Sequence, residues 1–278
     1  MAAVAQTSRL GRILWPVLAW VIALLVFFPI FWMVFTSFKT DADAVKPEHL
    51  FLFEPTLDNY LNMTENYDYW RFAANSVITA TFATLFTLFV GVPAAYAMAF
   101  NPSRRTKDIL VWMLSTKMLP AAAVLYPMTF LTKQALNIYD THVLVVIVLS
   151  LINLPVVIWM LFTYFKEIPK EIIEAGKMDG VSIWGEIREI VLPLAWGGLA
   201  STALLCFIFC WNEAYWTVRL TTTEAATLSK LIEGNRAPEG LFFGRLSAVS
   251  TAAVGPIIVL GWFCQKQLVQ GLTFGAVK

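Results

Sequence analysis

The sequence predicts an all-α integral membrane protein with six spanning helices. Three observations predict it. Hydrophobic side chains make up 58% of the chain, charged ones only 14%, and mean hydropathy is +0.67, whereas a soluble domain carries about 25% charged residues. Apolar runs close to the bilayer length of about 20 residues recur between polar segments. Lys and Arg are also distributed unevenly between those segments. A net charge of +1 supplies no basic field for nucleic acid. His49 and His142 are too isolated for a metal site or a catalytic triad, and Cys206, Cys210 and Cys264 have neither disulfide nor metal-ligand spacing.

The first run, Ile13 to Phe35, follows Arg9 and Arg12. It outruns the core of a signal peptide, about 7 to 15 residues, and no small-x-small cleavage site follows, so it reads as a retained anchor. The others are Phe72 to Phe100, Ile109 to Leu131, His142 to Phe165, Leu194 to Trp216 and Leu246 to Phe263. With both termini cytoplasmic, the inner segments carry eleven cations against seven acids, and the remainder carries nine against twelve. That asymmetry is the positive-inside pattern of a multi-pass membrane protein with both termini inside. The expected organisation is residues 1–71 as tail, first span and outer segment, 72–266 as a five-helix core, and 267–278 as a cytoplasmic tail.

Between the fourth and fifth spans, residues 166–193 form a cytoplasmic loop longer than a connection requires. Pro169 suits the first turn of a helix. Ile172, Ile173, Ala175, Gly176 and Met178 line the less polar side of that helix, and Asp179-Gly180 is a turn signal that stops it. Ser182 can cap a second helix, in which Ile183, Ile187 and Ile190 recur at helical spacing before Pro193 interrupts the ladder.

Glu174-Ala175-Gly176, three residues, Gly180, nine residues, Ile190, one residue and Leu192-Pro193 together resemble the EAA signature of the membrane subunits of binding-protein-dependent ABC importers. Gly176 replaces the second alanine. The resemblance implies a MetI-like permease fold in a bacterial inner membrane. It also implies that Glu174, Ala175, Gly176, Asp179, Gly180, Ile190, Leu192 and Pro193 form a coupling helix and its support against an ATPase. Ser37-Phe38-Lys39, Pro55 to Tyr60, Asn75-Ser76, Ser115 to Pro120, Trp211-Asn212-Glu213 and Gly271 to Lys278 are similar to the maltose-type carbohydrate subfamily. Arg236 to Leu241 and Trp262 to Leu268 look most like mannitol and sorbitol permeases, so a polyol is the expected solute, with a di- or oligosaccharide as the alternative. The implied partners are a second permease, in a heterodimer, an ABC ATPase dimer, an external solute-binding protein and membrane lipid.

No phosphate loop is present: Gly176-Lys177 has Glu171 where the first glycine should stand, and Met178 follows. The chain is thus expected to be a transport subunit and no enzyme, with ATP and Mg in the partner ATPase and no cofactor or metal of its own. Six spans are few for an ion-driven carrier built from internal repeats, which is the reading from another class. Lys117 lies about 13 Å inside the third span; it either donates to solute hydroxyls or pairs across helices. Asn153 either meets solute or makes an interhelical hydrogen bond. Trp211, Asn212 and Glu213 near the outer end of the fifth span can stack on and bond to a sugar, or anchor the interface. Tyr126 and Met118 complete the candidate pathway, with packing as their alternative role.

Overall fold

A computed structural model of the chain describes residues 9–236 and 242–265, with side chains from residue 12. Most of the 236–241 loop, Lys266 to Leu268 and the 267–278 tail lie outside the described residues. The α-helices of six residues or more among the described residues are α1 (Arg9–Ser37), α2 (Asp58–Asn66), α3 (Tyr69–Phe100), α4 (Thr106–Ser115), α5 (Ala121–Phe130), α6 (His142–Phe165), α7 (Lys170–Met178), α8 (Trp196–Asn212), α9 (Tyr215–Leu220), α10 (Leu228–Gly234) and α11 (Phe243–Phe263). Four helices among the described residues, within α1, α3, α6 and α11, are long and apolar enough to cross a membrane, and there are up to six spans if two bent helix pairs count as one span each.

Those bent pairs correct the expectation of six continuous spans. The third span breaks between Met118 and Ala121 with an 86° bend. Pro120 has no N–H to continue the ladder and forces Leu119 out of the helical region, to φ −66 and ψ 126. The expected fifth span, Leu194 to Trp216, is displaced as well. Ile183–Leu194 meets α8 at 87°, and α8 stops at Asn212, where Glu213 turns extended before α9 begins.

The chain divides into two compact units, residues 1–67 with 235–254, and 68–234 with 255–278. In the first unit, Asn59 on α2 donates to the carbonyls of Ser37 and Lys39 at 2.9 and 2.7 Å. The buried Lys39 donates to the carbonyls of His49 and Leu50 and sits 4.8 to 5.3 Å from the rings of Trp32, Phe35 and Phe53. A buried ammonium is tolerable there because carbonyls and ring faces replace its water.

In the second unit α3 and α6 form the core. A stripe of small residues on α3, including Ala80, Ala83, Thr87, Gly91 and Ala95, is buried, and α6 packs Val145, Leu149, Val157, Ile158 and Leu161 into the same cluster. Small residues let two backbones approach closely where lipid offers no hydrophobic drive. At the closest point a Cβ on Gly91 would lie 3.1 Å from Val157 Cγ1. The other face of α3 carries Phe82, Leu85, Phe86 and Phe89 outward.

Candidate functional site

The cytoplasmic loop forms a helix, a turn and a second helical stretch. Pro169 stands at the N-cap of α7, one position before the expected first turn. Asp179 ends the helix and Gly180 takes φ +76, while the N–H groups of Gly180 and Val181 donate to the carbonyls of Lys177 and Gly176 at 3.1 and 3.0 Å. This pair of bonds is a Schellman stop, which needs a left-handed residue at the Gly180 position. Ser182 then accepts from the Gly185 N–H, as its capping role requires. The second stretch is regular only over Ile183–Gly185. Residues Glu186–Val191 widen into a π-helix just ahead of Pro193, whose ring would otherwise press on the carbonyl four residues back.

Burial sorts the motif into two faces. Ile173 and Gly176 face inward with Ile187 and Val191, and Gly176 sits so close to Ile190 that an added Cβ would be 2.7 Å from its Cδ1. Glu174, Ala175, Asp179 and Gly180 are exposed. So are Ile172, Met178, Ile183 and Trp184, at 40%, 88%, 60% and 65%; Ile172, Ala175, Met178 and Ile183 therefore do not belong to the inward face that their spacing suggested. Leu192 is half-buried and Pro193 exposed. The outward side is thus a short helix tip with small, apolar and acidic groups in reach of another protein.

On the outer side of the same unit, a cavity of about 330 Å³ is lined by Lys117, Ile152, Met128, Leu151, Glu213 and Trp216, among others. Lys117 sits in the turn that breaks the third span and donates to the Ile152 carbonyl at 2.7 Å. Glu213 accepts from the Trp216 N–H at 2.8 Å and starts α9. Of the candidate pathway residues the structure brings these two together. Asn153 turns inside the bundle, donating to the Leu149 carbonyl and Cys210 Sγ. Asn212 bonds back to the Ile208 carbonyl, and Trp211 stacks near Phe207. Met118 and Tyr126 are 84% and 81% exposed. No grouping of His, Cys, Asp and Glu among the described residues could hold a metal ion.

Residues 91–272 match the model of a family described as the binding-protein-dependent transport system inner membrane component. The chain belongs to this family. It is therefore a multi-pass inner-membrane permease subunit of an ABC transporter and not an enzyme, and membership implies a solute-binding protein and an ATPase, which holds the ATP, as partners. The ion-driven carrier is set aside on the same ground. A probable ABC transporter permease of Sinorhizobium fredii is 32% identical over the whole of both chains. The sulfoquinovosyl glycerol transport permease of Agrobacterium fabrum is 30% identical, over 90% of this chain and 88% of its own. The trehalose transport permease of Mycobacterium tuberculosis is 30% identical, over 95% and 97%. Among solved structures, a bacterial ABC transporter involved in import of the acidic polysaccharide alginate matches with TM-score 0.75 at 23% identity, over 94% of this chain and 98% of that one. The permease fold is shared.

Two clusters in this permease escaped the sequence reading. Glu186 is 1% exposed and accepts a short hydrogen bond from the buried Tyr96 hydroxyl on α3, tying the cytoplasmic loop to the core. Only its place on the inward face, one residue before Ile187, hinted at burial. On the outer side, Asp140 accepts from the N–H groups of Thr222, Thr223, Glu224 and Ala225 and from the Thr222 hydroxyl. Asn75 donates to the carbonyls of Glu224 and Ala226, and Ser76 accepts from the Leu228 N–H. Burial raises the Asp140 carboxyl, but the hydroxyl and N–H donors of Thr222, Thr223 and Glu224 outweigh it and hold the group well below the usual carboxylate range. The Asn75-Ser76 pair, noted only for its resemblance, thus serves as one jaw of a clamp on residues 221–228.

Proposed function

We propose that this permease is one half of a heterodimeric pathway for a carbohydrate, a di- or oligosaccharide or a related glycoside, with an ATPase dimer docking on residues 174–180. The observation that carries the docking assignment is the outward exposure of Glu174, Ala175, Met178 and Gly180 on a helix whose other side is buried. Closure of the ATPase pair would push this tip, and the buried Glu186–Tyr96 bond would pass the displacement to α3. Residues 72–266 form the transport core in this reading.

The solute class is supported by the names of the relatives, one for trehalose and one for sulfoquinovosyl glycerol. A polyol remains the second reading, favoured by the resemblance of Trp262 to Leu268 and Arg236 to Leu241. Lys117 and Glu213, which share the outer cavity, supply hydrogen-bond donors and acceptors of the kind that sugar hydroxyls need. The test is uptake by vesicles that hold the whole transporter, powered by internal ATP, with trehalose, maltose and mannitol as competitors. Competition by a disaccharide and loss of uptake in Glu174→Ala, with the chain still inserted and the ATPase no longer co-purifying, is the expected result. Normal ATP-driven uptake by Glu174→Ala and Gly180→Val would refute the docking assignment, and competition by mannitol alone would move the polyol to first place.

A further inference from the structure

Four cations converge where α3, α4 and α6 end on the cytoplasmic side. Arg104 follows α3, Lys107 lies in the first turn of α4, Lys166 caps the C-terminus of α6 and Lys170 opens α7. All four line one cavity of about 450 Å³. None of them is within ion-pair distance of a carboxylate among the described residues. Their sequence neighbours Asp108, Glu167 and Glu171 are absent from the lining, so no carboxylate in the cavity wall offsets the positive charge.

Apart from Ser103 and Thr106, the rest of the wall is apolar. Leu110, Val111, Trp159 and Phe162 contribute to it, and Trp159 and Phe162 are on the last two turns of a spanning helix. Lys166 Nζ lies 5.5 Å from the centre of the Phe162 ring, so the aromatic layer and the cationic layer are in direct contact. A cationic rim over an apolar, aromatic-lined groove at the end of a span matches both parts of a phospholipid, the phosphate above and the acyl chain below. A soluble anion would use only the rim, and an acidic protein segment would leave Leu110, Val111 and Trp159 without a partner.

We infer that this cavity is a binding site for an anionic phospholipid of the inner leaflet, its phosphate held among Arg104, Lys107, Lys166 and Lys170 and an acyl chain lying along Val111 and Trp159. The site shares no residue with the proposed docking segment 174–180, although Lys170 opens the same helix, and it does not depend on that reading.

The test uses the full chain, purified together with its ATPase, in a mild detergent, supplied with equal amounts of phosphatidylglycerol and phosphatidylcholine and then exchanged into lipid-free detergent. Native mass spectrometry counts the lipid retained. The wild type should keep phosphatidylglycerol over phosphatidylcholine. Lys107→Gln combined with Lys166→Gln should reduce that preference about thirtyfold, the equivalent of about 2 kcal/mol at roughly 1 kcal/mol per cation. Lys107→Arg with Lys166→Arg should retain it, which separates loss of charge from loss of folding. Equal retention of phosphatidylglycerol by wild type and the Gln pair would overturn the inference. So would complete displacement of the lipid by millimolar inorganic phosphate, which would make the rim a free-anion site. Undiminished lipid retention by the Gln pair together with loss of the ATPase from the purified complex would overturn it in favour of a protein contact.

Discussion

Asp140 and Glu186 are both carboxylates with one dominant environment each, and their consequences differ. The folded-state value of Asp140 lies below its unfolded one, near 4. Its contribution to stability is therefore complete above the unfolded value and declines as pH falls through the folded value. Thermal unfolding of the detergent-solubilised chain should accordingly show a clamp contribution that is unchanged between pH 7 and pH 5. Asp140→Asn should lower the midpoint at both, and the gap to wild type should narrow only in strong acid. A gap that closes by pH 5 would contradict the clamp. Glu186 depends on a single phenol. Tyr96→Phe removes the donor and leaves a buried acceptor unmatched, at about 1 to 3 kcal/mol. Glu186→Gln should cost less, because the amide oxygen still accepts from Tyr96; chemical denaturation of the two variants ranks them.

At the scale of the element, α7 is held by two glycines for two different reasons. Gly180 occupies the left-handed region with no atom within 4 Å of a built Cβ, so space is not its constraint. Gly180→Ala should lose about 1 to 2 kcal/mol of local stability through backbone strain alone. Gly176 has an ordinary helical conformation but meets the flexible tip of Ile190. For Gly176→Ala the gain in helix propensity, about 1 kcal/mol, roughly balances the cost of turning Ile190 off its rotamer, about 0.5 to 1.5 kcal/mol. The variant should be nearly neutral in stability and in uptake. Gly176→Val has no such balance and should detach α7 from the Ile187 and Val191 face, read as faster proteolysis at residues 170–185 with the spans intact.

For the whole molecule, the charge distribution places residues 101–107 and 166–193 on one side of the membrane and residues 136–141 and 221–228 on the other. Cys206 and Cys210 are buried, so single reporter cysteines can be read once Cys264 is replaced by Ala. Ser103→Cys should react with an impermeant thiol reagent only from the cytoplasmic side, and Thr222→Cys only from outside. Labelling of both from one side would invert or break the topology. Both sites end on the α3–α6 pair, which runs from the Asn75 clamp at one end to the Tyr96–Glu186 bond at the other.

Hydropathy and the EAA pattern alone determined the membrane class, the bounds of the fourth span to the residue, the cytoplasmic loop with its stop at Gly180 and its cap at Ser182, and the family. These follow from short-range chemistry: apolar length, proline and glycine geometry, and hydroxyl capping act within a few residues. The right-angle breaks within the third span and at the start of the fifth were only half legible. Pro120 was visible, but whether a proline kinks or breaks a helix depends on what receives the freed backbone groups. Tertiary structure alone decided that Lys117 and Glu213 share a cavity, that Asn153 faces Cys210, and that Met178 and Ile183 point outward. It also decided that Asp140 meets residues 222–225, that Glu186 meets Tyr96 and that four cations surround one groove. Apart from the outward turn of Met178 and Ile183, each of these joins positions dozens of residues apart, and nothing local to either partner encodes the helix packing that brings them together.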